Sequence, residues 1–341
     1  MFRVGFRRYA CAATVIVATA AASAQTQYRI VDHWKVGGTG GWDYVVADSA
    51  AHLLYVTHGP RVEVLDTTTG KSVAAITGLK GTHGVALDSE GKLGYISDGA
   101  SNEVVIFDRK SFAKVGSVAT GTNPDGILYE PSTKTVWAFN GRSNNATVID
   151  AASGKAMSTI ALPGKPEFPQ ADGKGHVFVN IEDKNSIVHL DASKKTISSV
   201  WPLENCESPS GLALDNEHHR LFAVCDGKKM AVVDAVSGKQ LASPAIGDGP
   251  DAAGYSALHQ LAFSSNGDGT LSVIDAANGY KPLQTVGTQK GARTMAYDDA
   301  VDRVYLVTAE FGPRPAPTPQ SPRPRPAVLA DTFTVIVVGR K

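Results

Sequence analysis

The chain lacks the signatures that announce most enzyme families. Only three of its 341 residues are cysteine, with no Cys-x-x-Cys-His to attach haem and no cysteine pairs at zinc spacing. His-Glu-x-x-His, EF-hand spacing and Gly-x-Ser-x-Gly are all missing, and Ser210 in Ser-Pro-Ser-Gly has no strand-turn-helix setting for a nucleophile elbow. Gly37-Gly38-Thr39-Gly40-Gly41 leads into a strand pattern and no helix, which argues against phosphate cradling. Charge is sparse and balanced: 19% of residues are charged, with 33 Lys plus Arg against 33 Asp plus Glu. A general nucleic-acid or membrane-surface role is therefore not expected.

Long apolar runs are also lacking. Ala12 to Ala22 is too short to span a bilayer, follows the basic Arg3, Arg7 and Arg8, and precedes Ala22-Ser23-Ala24. This reads as a secretory signal peptide over residues 1–24, cut between Ala24 and Gln25, and not as a retained anchor. Cys11 lies ahead of the apolar run, so a lipid-anchored cysteine is not expected. The expected mature chain keeps 30 of its 33 basic residues against 33 acids, has no membrane span, and is periplasmic or secreted. Cys206 and Cys225 remain. In an oxidising compartment they are a disulfide candidate, with two buried free thiols as the alternative.

What the sequence does have is repetition. From Thr82 to Gly121 four short apolar runs, rich in Val, Ile, Phe and Tyr, are separated by Asp-Ser-Glu-Gly, Asp-Gly-Ala-Ser-Asn and Asp-Arg-Lys-Ser. Such runs predict an antiparallel meander. An acid ending the third run recurs at Asp66, Asp108, Asp150, Asp191, Asp234 and Asp275, every 41 to 43 residues. Four strands at that period predict propeller blades, sheets that cannot bury both faces without neighbours. The last blade, starting at Gly291, holds only three strands before the chain ends, and the orphan segment Tyr28 to Val36 is expected to supply the fourth. The predicted fold is all-β: a seven-bladed β-propeller over residues 25–341, closed by the N-terminal strand joining the last blade. A monomer is expected.

The second strand of each blade carries Tyr55-Val56-Thr57-His58, Tyr95-Ile96-Ser97-Asp98, Trp137-Ala138-Phe139-Asn140, Val177-Phe178-Val179-Asn180, Phe222-Ala223-Val224-Cys225 or Tyr305-Leu306-Val307-Thr308, with a worn copy at Ala262 to Ser265. With Asp-x-x-x-Gly-Lys turns at Asp66, Asp150 and Asp234, nearly all of the mature chain resembles the YVTN-repeat propellers, and more closely the exported YncE-like proteins of bacteria. The resemblance implies a WD40-like fold and leaves activity open, since relatives include amine dehydrogenase subunits and nucleic-acid binders. Four tryptophans without a per-blade pattern do not suit the stacked quinone sites of larger propeller dehydrogenases. The segment Gly312 to Val328 departs from the pattern. Proline at nearly every second position, with Arg314, Arg323 and Arg325, predicts an extended, solvated insertion in blade 7, a passive loop in preference to a docking arm.

In a meander, the loop opening the first strand and the loop joining strands two and three share one end. That end collects Trp42, Asp43, His83, Asp125, Glu167, Asp251 and Arg293 with His58, Asp98, Asn140, Glu182, Asp226, Asn266 and Glu310. This face is the expected ligand-binding site, although any single Asp or Asn there is more simply read as bonding backbone amides. The first functional reading is a module that binds an unknown small molecule or protein, without a cofactor. The second is a metal-assisted hydrolase or lyase, such as a lactone opener, with His58, His83, Asp98 and Asp125 around a divalent metal. No activated nucleophile is evident, so no catalytic residue is assigned and binding is preferred. Convergence of acids and histidines on one small volume would favour the second reading; dispersal around the rim, the first.

Overall fold

Each acid that marks the repeat ends a third strand and organises the turn after it. The Asp66 carboxylate accepts hydrogen bonds from Thr68 N, Thr69 N and the Thr69 hydroxyl. Asp108 and Asp234 repeat the pattern with Ser111 and Ser237, and Asp150 does so with Ser153. A short carboxylate satisfies amides that a tight turn leaves without strand partners, so the residue recurs wherever the chain turns towards the outermost strand.

The computed structural model describes residues 1–2, 27–318, 324 and 326–340. Most of the expected signal peptide, together with Arg323 and Arg325, lies outside the described residues. The described chain forms seven four-stranded antiparallel sheets. In the second blade the strands are Thr82–Leu87, Leu93–Asp98, Glu103–Asp108 and Lys114–Ala119, with the innermost lining the central channel. The seventh sheet runs Thr294–Asp298, Arg303–Thr308, Thr334–Gly339 and then Arg29–Lys35, so the N-terminal strand closes the ring from Arg29 opposite Gly339 to Lys35 opposite Thr334. Side chains lock this closure. Asp302 accepts from Tyr28 Oη at 2.6 Å, Tyr297 Oη at 3.0 Å and Arg340 Nε at 2.8 Å, and the Gln284 amide grips both backbone polar groups of Tyr28.

Apolar residues pack into seven clusters. Second and third strands are covered on both faces by neighbouring blades, which is why their sequences are nearly continuously apolar. The aromatic residue of the second-strand tetrapeptide, Tyr55, Tyr95, Trp137, Phe222 or Tyr305, is fully buried. First strands pack almost backbone to backbone around the channel. A Cβ at Gly126 would lie 2.4 Å from Glu167 O, and one at Gly211 would lie 2.6 Å from Asp251 O. These close approaches carry Asp125 towards Glu167, and the Ser210 segment towards Asp251.

Two departures from regularity both face the channel's open end. In the fifth blade the first strand is reduced to Leu212–Asp215, and the preceding loop is held by a Cys206–Cys225 disulfide with Cα atoms 5.1 Å apart and by a bridge from Glu207 to Asp226. The insertion of blade 7 pairs with itself at its base: Phe311 bridges Val328, Gly312 N donates to Ala327 O, and Leu329 N donates to Glu310 O. It forms a stem beside the sheet instead of extending it.

Candidate functional site at the channel mouth

Tyr44 and Phe168 stand on the first strands of blades 1 and 4, and their rings meet at 4.8 Å in the channel. Beside this aromatic pair lies a cavity of about 270 Å³, bordered by Asp43, Asp125, Glu167, Glu182, Asp226 and Asp251, with Lys165 and Arg293 as its cations. Carboxylates outnumber permanent cations around a narrow volume walled by protein, where charge is weakly screened.

One side is organised by His83. Its Nδ1 is 2.6 Å from Asp43 Oδ2 and 3.7 Å from Asp125 Oδ1. Burial disfavours the imidazolium, but the Asp43 hydrogen bond and the charges of Asp125 and Asp43 outweigh it and push the pKa up to about 9. Asp43 keeps about a third of its side chain open to the channel, yet protein surrounds that channel, and burial raises its pKa despite the bond to His83. Burial and the Asp43 charge raise Asp125 to about 6. On the other side Lys165 Nζ bonds both Glu167 and Glu182. Burial, reinforced by the Asp125 charge, nevertheless pushes Glu167 up to about 8. Asp226 is raised by burial and by the Glu182 charge. Thr294 donates to Asp251 at 3.0 Å, and Arg293 Nε lies 3.6 Å from the same carboxylate.

The residues expected at this end divide sharply. Asp43, His83 and Asp125 converge, with one potential ligand atom from each lying within 4.8 Å of the others. Glu167, Glu182, Asp226 and Arg293 share the channel cavity. His58 and Asp98, expected beside His83 and Asp125 around a metal, do not join them. The His58 side chain is fully buried and stacks on Phe333 at 4.1 Å, and burial lowers its pKa. Asp98 is consumed by the Lys80 and Gly81 amides and the Ser101 hydroxyl. Asn140 donates to Asn145 and Thr147 within its own blade, and Asn266 donates to Ser264, Thr270 and Ser272. Both amides are therefore turn supports. Glu310 sits at the base of the insertion stem, where its backbone bonds Thr332 and Leu329.

Trp42 packs on Phe333 and faces Phe311. It lines a second cavity, about 730 Å³, between the ring and the stem, with Lys290, Arg293 and Arg314 on its border. Asp43, Asp251, Arg293 and Thr294 border both cavities, so the channel opens beneath the insertion. Lys165, Tyr44 and Phe168 were not anticipated at the site. Lys165 lies just ahead of its first strand, and the two aromatics follow Asp43 and Glu167 directly. Adjacent residues share the cavity because each of these inner strands carries a register irregularity there, between Trp42 and Val45 and between Pro166 and Pro169, which simple period-2 alternation does not anticipate.

Fold and site together define a WD40-like seven-bladed β-propeller with a charged channel mouth. Among solved structures, Kuenenia stuttgartiensis hydrazine synthase is similar at 13% identity and TM-score 0.71, over 79% of this chain and 92% of that one. U3-55K is similar at 11% identity and TM-score 0.74, over 91% and 98%, and the RRP9 WD40 repeats at 11% and 0.74, over 91% and 97%. At these identities the likeness is one of fold. No family model and no curated protein matches the chain.

Proposed function

We propose that this chain is an exported, YncE-like binding propeller that takes a compact cationic ligand, a divalent metal ion or a small diamine, at the channel mouth. The observation that carries this reading is the crowding of Asp43, Asp125, Glu167, Glu182, Asp226 and Asp251 around one cavity whose permanent cations, among the described residues, are Lys165 and Arg293. A bound cation would relieve repulsion that the protein alone leaves standing, and the Tyr44–Phe168 pair offers ring faces to an organic ammonium.

The experiment is calorimetric titration of the tag-free mature chain with Mn²⁺, Zn²⁺ and putrescine, repeated on Asp125→Asn/Glu167→Gln. Binding by one of these cations in the wild type, weakened at least about tenfold in the variant, supports the reading. Equal affinity in both proteins, or binding of none of the three, refutes it.

Convergence of Asp43, His83 and Asp125 supports a second reading, a metal-assisted hydrolase or lyase in which these three hold the ion. His83 would first have to surrender its proton, since an imidazolium cannot ligate. Lactone hydrolysis that appears with Zn²⁺ or Mn²⁺ and vanishes in His83→Ala would establish it.

A further inference from the structure

The turn end of the ring, opposite the mouth, carries a histidine pair that neither reading uses. His176 opens the second strand of blade 4, His176–Ile181, and His189 lies near the end of the third, Ser186–Asp191. In the strand register His176 faces Asp191 and His189 faces Phe178, so the two histidines are diagonal neighbours. His176 Nδ1 lies 2.9 Å from His189 Nε2. The His189 ring is fixed by stacking on Phe178 at 5.0 Å and on Trp201 at 5.3 Å. His176 is exposed, and its ring centre lies 5.0 Å from that of His189. The pair borders a cavity of about 210 Å³ that Asp172 and His219 also line.

We propose that His176 and His189 form a two-histidine chelate for a borderline transition cation, Cu²⁺, Ni²⁺ or Zn²⁺, with water completing the coordination. Two imidazole nitrogens bound to one such ion at about 2.0–2.1 Å each stand roughly 3 Å apart, close to the separation found here. When the imidazole that donates in this contact shifts its proton to its other ring nitrogen and the exposed His176 ring rotates, the two facing nitrogens each offer a lone pair to one ion. Imidazole is the ligand these ions prefer among side chains available at an exposed site, and affinity is expected to be greatest for Cu²⁺. The cavity provides room for the ion and its waters.

The test uses the full mature chain without a histidine tag. Cu²⁺ is titrated while tryptophan fluorescence is followed, because a paramagnetic ion on His189 lies against the Trp201 ring and quenches it. Zn²⁺ is titrated by calorimetry. The wild type is expected to show a saturable quench, which Trp201→Phe removes without changing Cu²⁺ affinity by calorimetry. His176→Gln, at an exposed position, and His189→Phe, which preserves the aromatic stack, should each weaken Cu²⁺ binding at this site by at least about tenfold. His83→Ala should leave the quench intact, which separates this site from the mouth. Quenching that persists in both His176→Gln and His189→Phe, or that disappears only in His83→Ala, overturns the proposal. So does a wild type that binds neither ion.

Discussion

The two ends of the ring use the same side chains under opposite conditions. At the turn end, carboxylates are met by donors: the turn amides and hydroxyls hold Asp66, Asp108 and Asp234 below the usual carboxylate range, led in each case by the backbone bond from the residue three positions on. At the mouth, Asp125 and Glu167 are buried beside other acids and rise to about 6 and about 8. An acid that the fold requires is solvated by the fold. An acid buried beside other acids keeps its proton to higher pH.

Substitutions of the acids at the two ends should therefore differ in sign as well as size, while other changes are destabilising at either end. The largest loss is expected at Arg109, which bonds Asp48 and Asp88 in a nearly buried cluster joining blades 1 and 2. Arg109→Ala strands two carboxylates and should cost about 3–5 kcal/mol, read as a lowered urea midpoint. Reducing Cys206–Cys225 releases a loop spanning 19 residues of sequence separation and should cost about 3 kcal/mol, measured by thermal unfolding with and without reductant. Asp234→Ala removes bonds to the Val236 and Ser237 amides and the Ser237 hydroxyl and should cost about 1 kcal/mol, again by urea unfolding.

Glu167→Gln should go the other way and stabilise by on the order of 1 kcal/mol at pH 8.5. The pH dependence follows from the sign of the shift. Glu167 has a folded pKa of about 8, above its unfolded value, so its ionisation opposes folding in full above that pKa. The penalty shrinks as pH falls and is gone below the unfolded pKa. The advantage of Glu167→Gln should consequently close by about pH 5. His83 reinforces the wild-type trend, because its stabilising pair with Asp43 is present below its unfolded pKa and is lost as pH rises through about 9. A Glu167→Gln curve parallel to wild type from pH 5 to 8.5 would erase the contrast between the ends.

The ring was legible in the sequence because its determinants are local. The acid of each turn, the apolar tetrapeptide of each second strand and the missing fourth strand of the last blade are all written at fixed spacing. The end of the ring on which each loop falls was equally legible, since it follows from strand direction. Which residues of that end meet was not. Asp98 and His83 both lie there, but Asp98 is taken by the amides of Lys80 and Gly81 while His83 reaches back to Asp43 on the neighbouring blade. That choice depends on which neighbouring loop each side chain reaches in three dimensions, which strand direction and repeat spacing do not specify. Lys165 escaped notice although Glu167 and Glu182 belong to its own hairpin, where Pro166 pairs with Ile181, because it lies just ahead of the strand pattern.

The most direct measurement is carboxyl ¹³C titration of the Asp and Glu side chains in the ligand-free mature protein, assigned with single Asn and Gln variants. Asp125 and Glu167 should titrate near 6 and near 8, while Asp108 and Asp234 titrate below the ordinary range. Mouth carboxylates that titrate together with the turn acids, at ordinary values, would contradict the claim that the ring holds its open end under electrostatic tension.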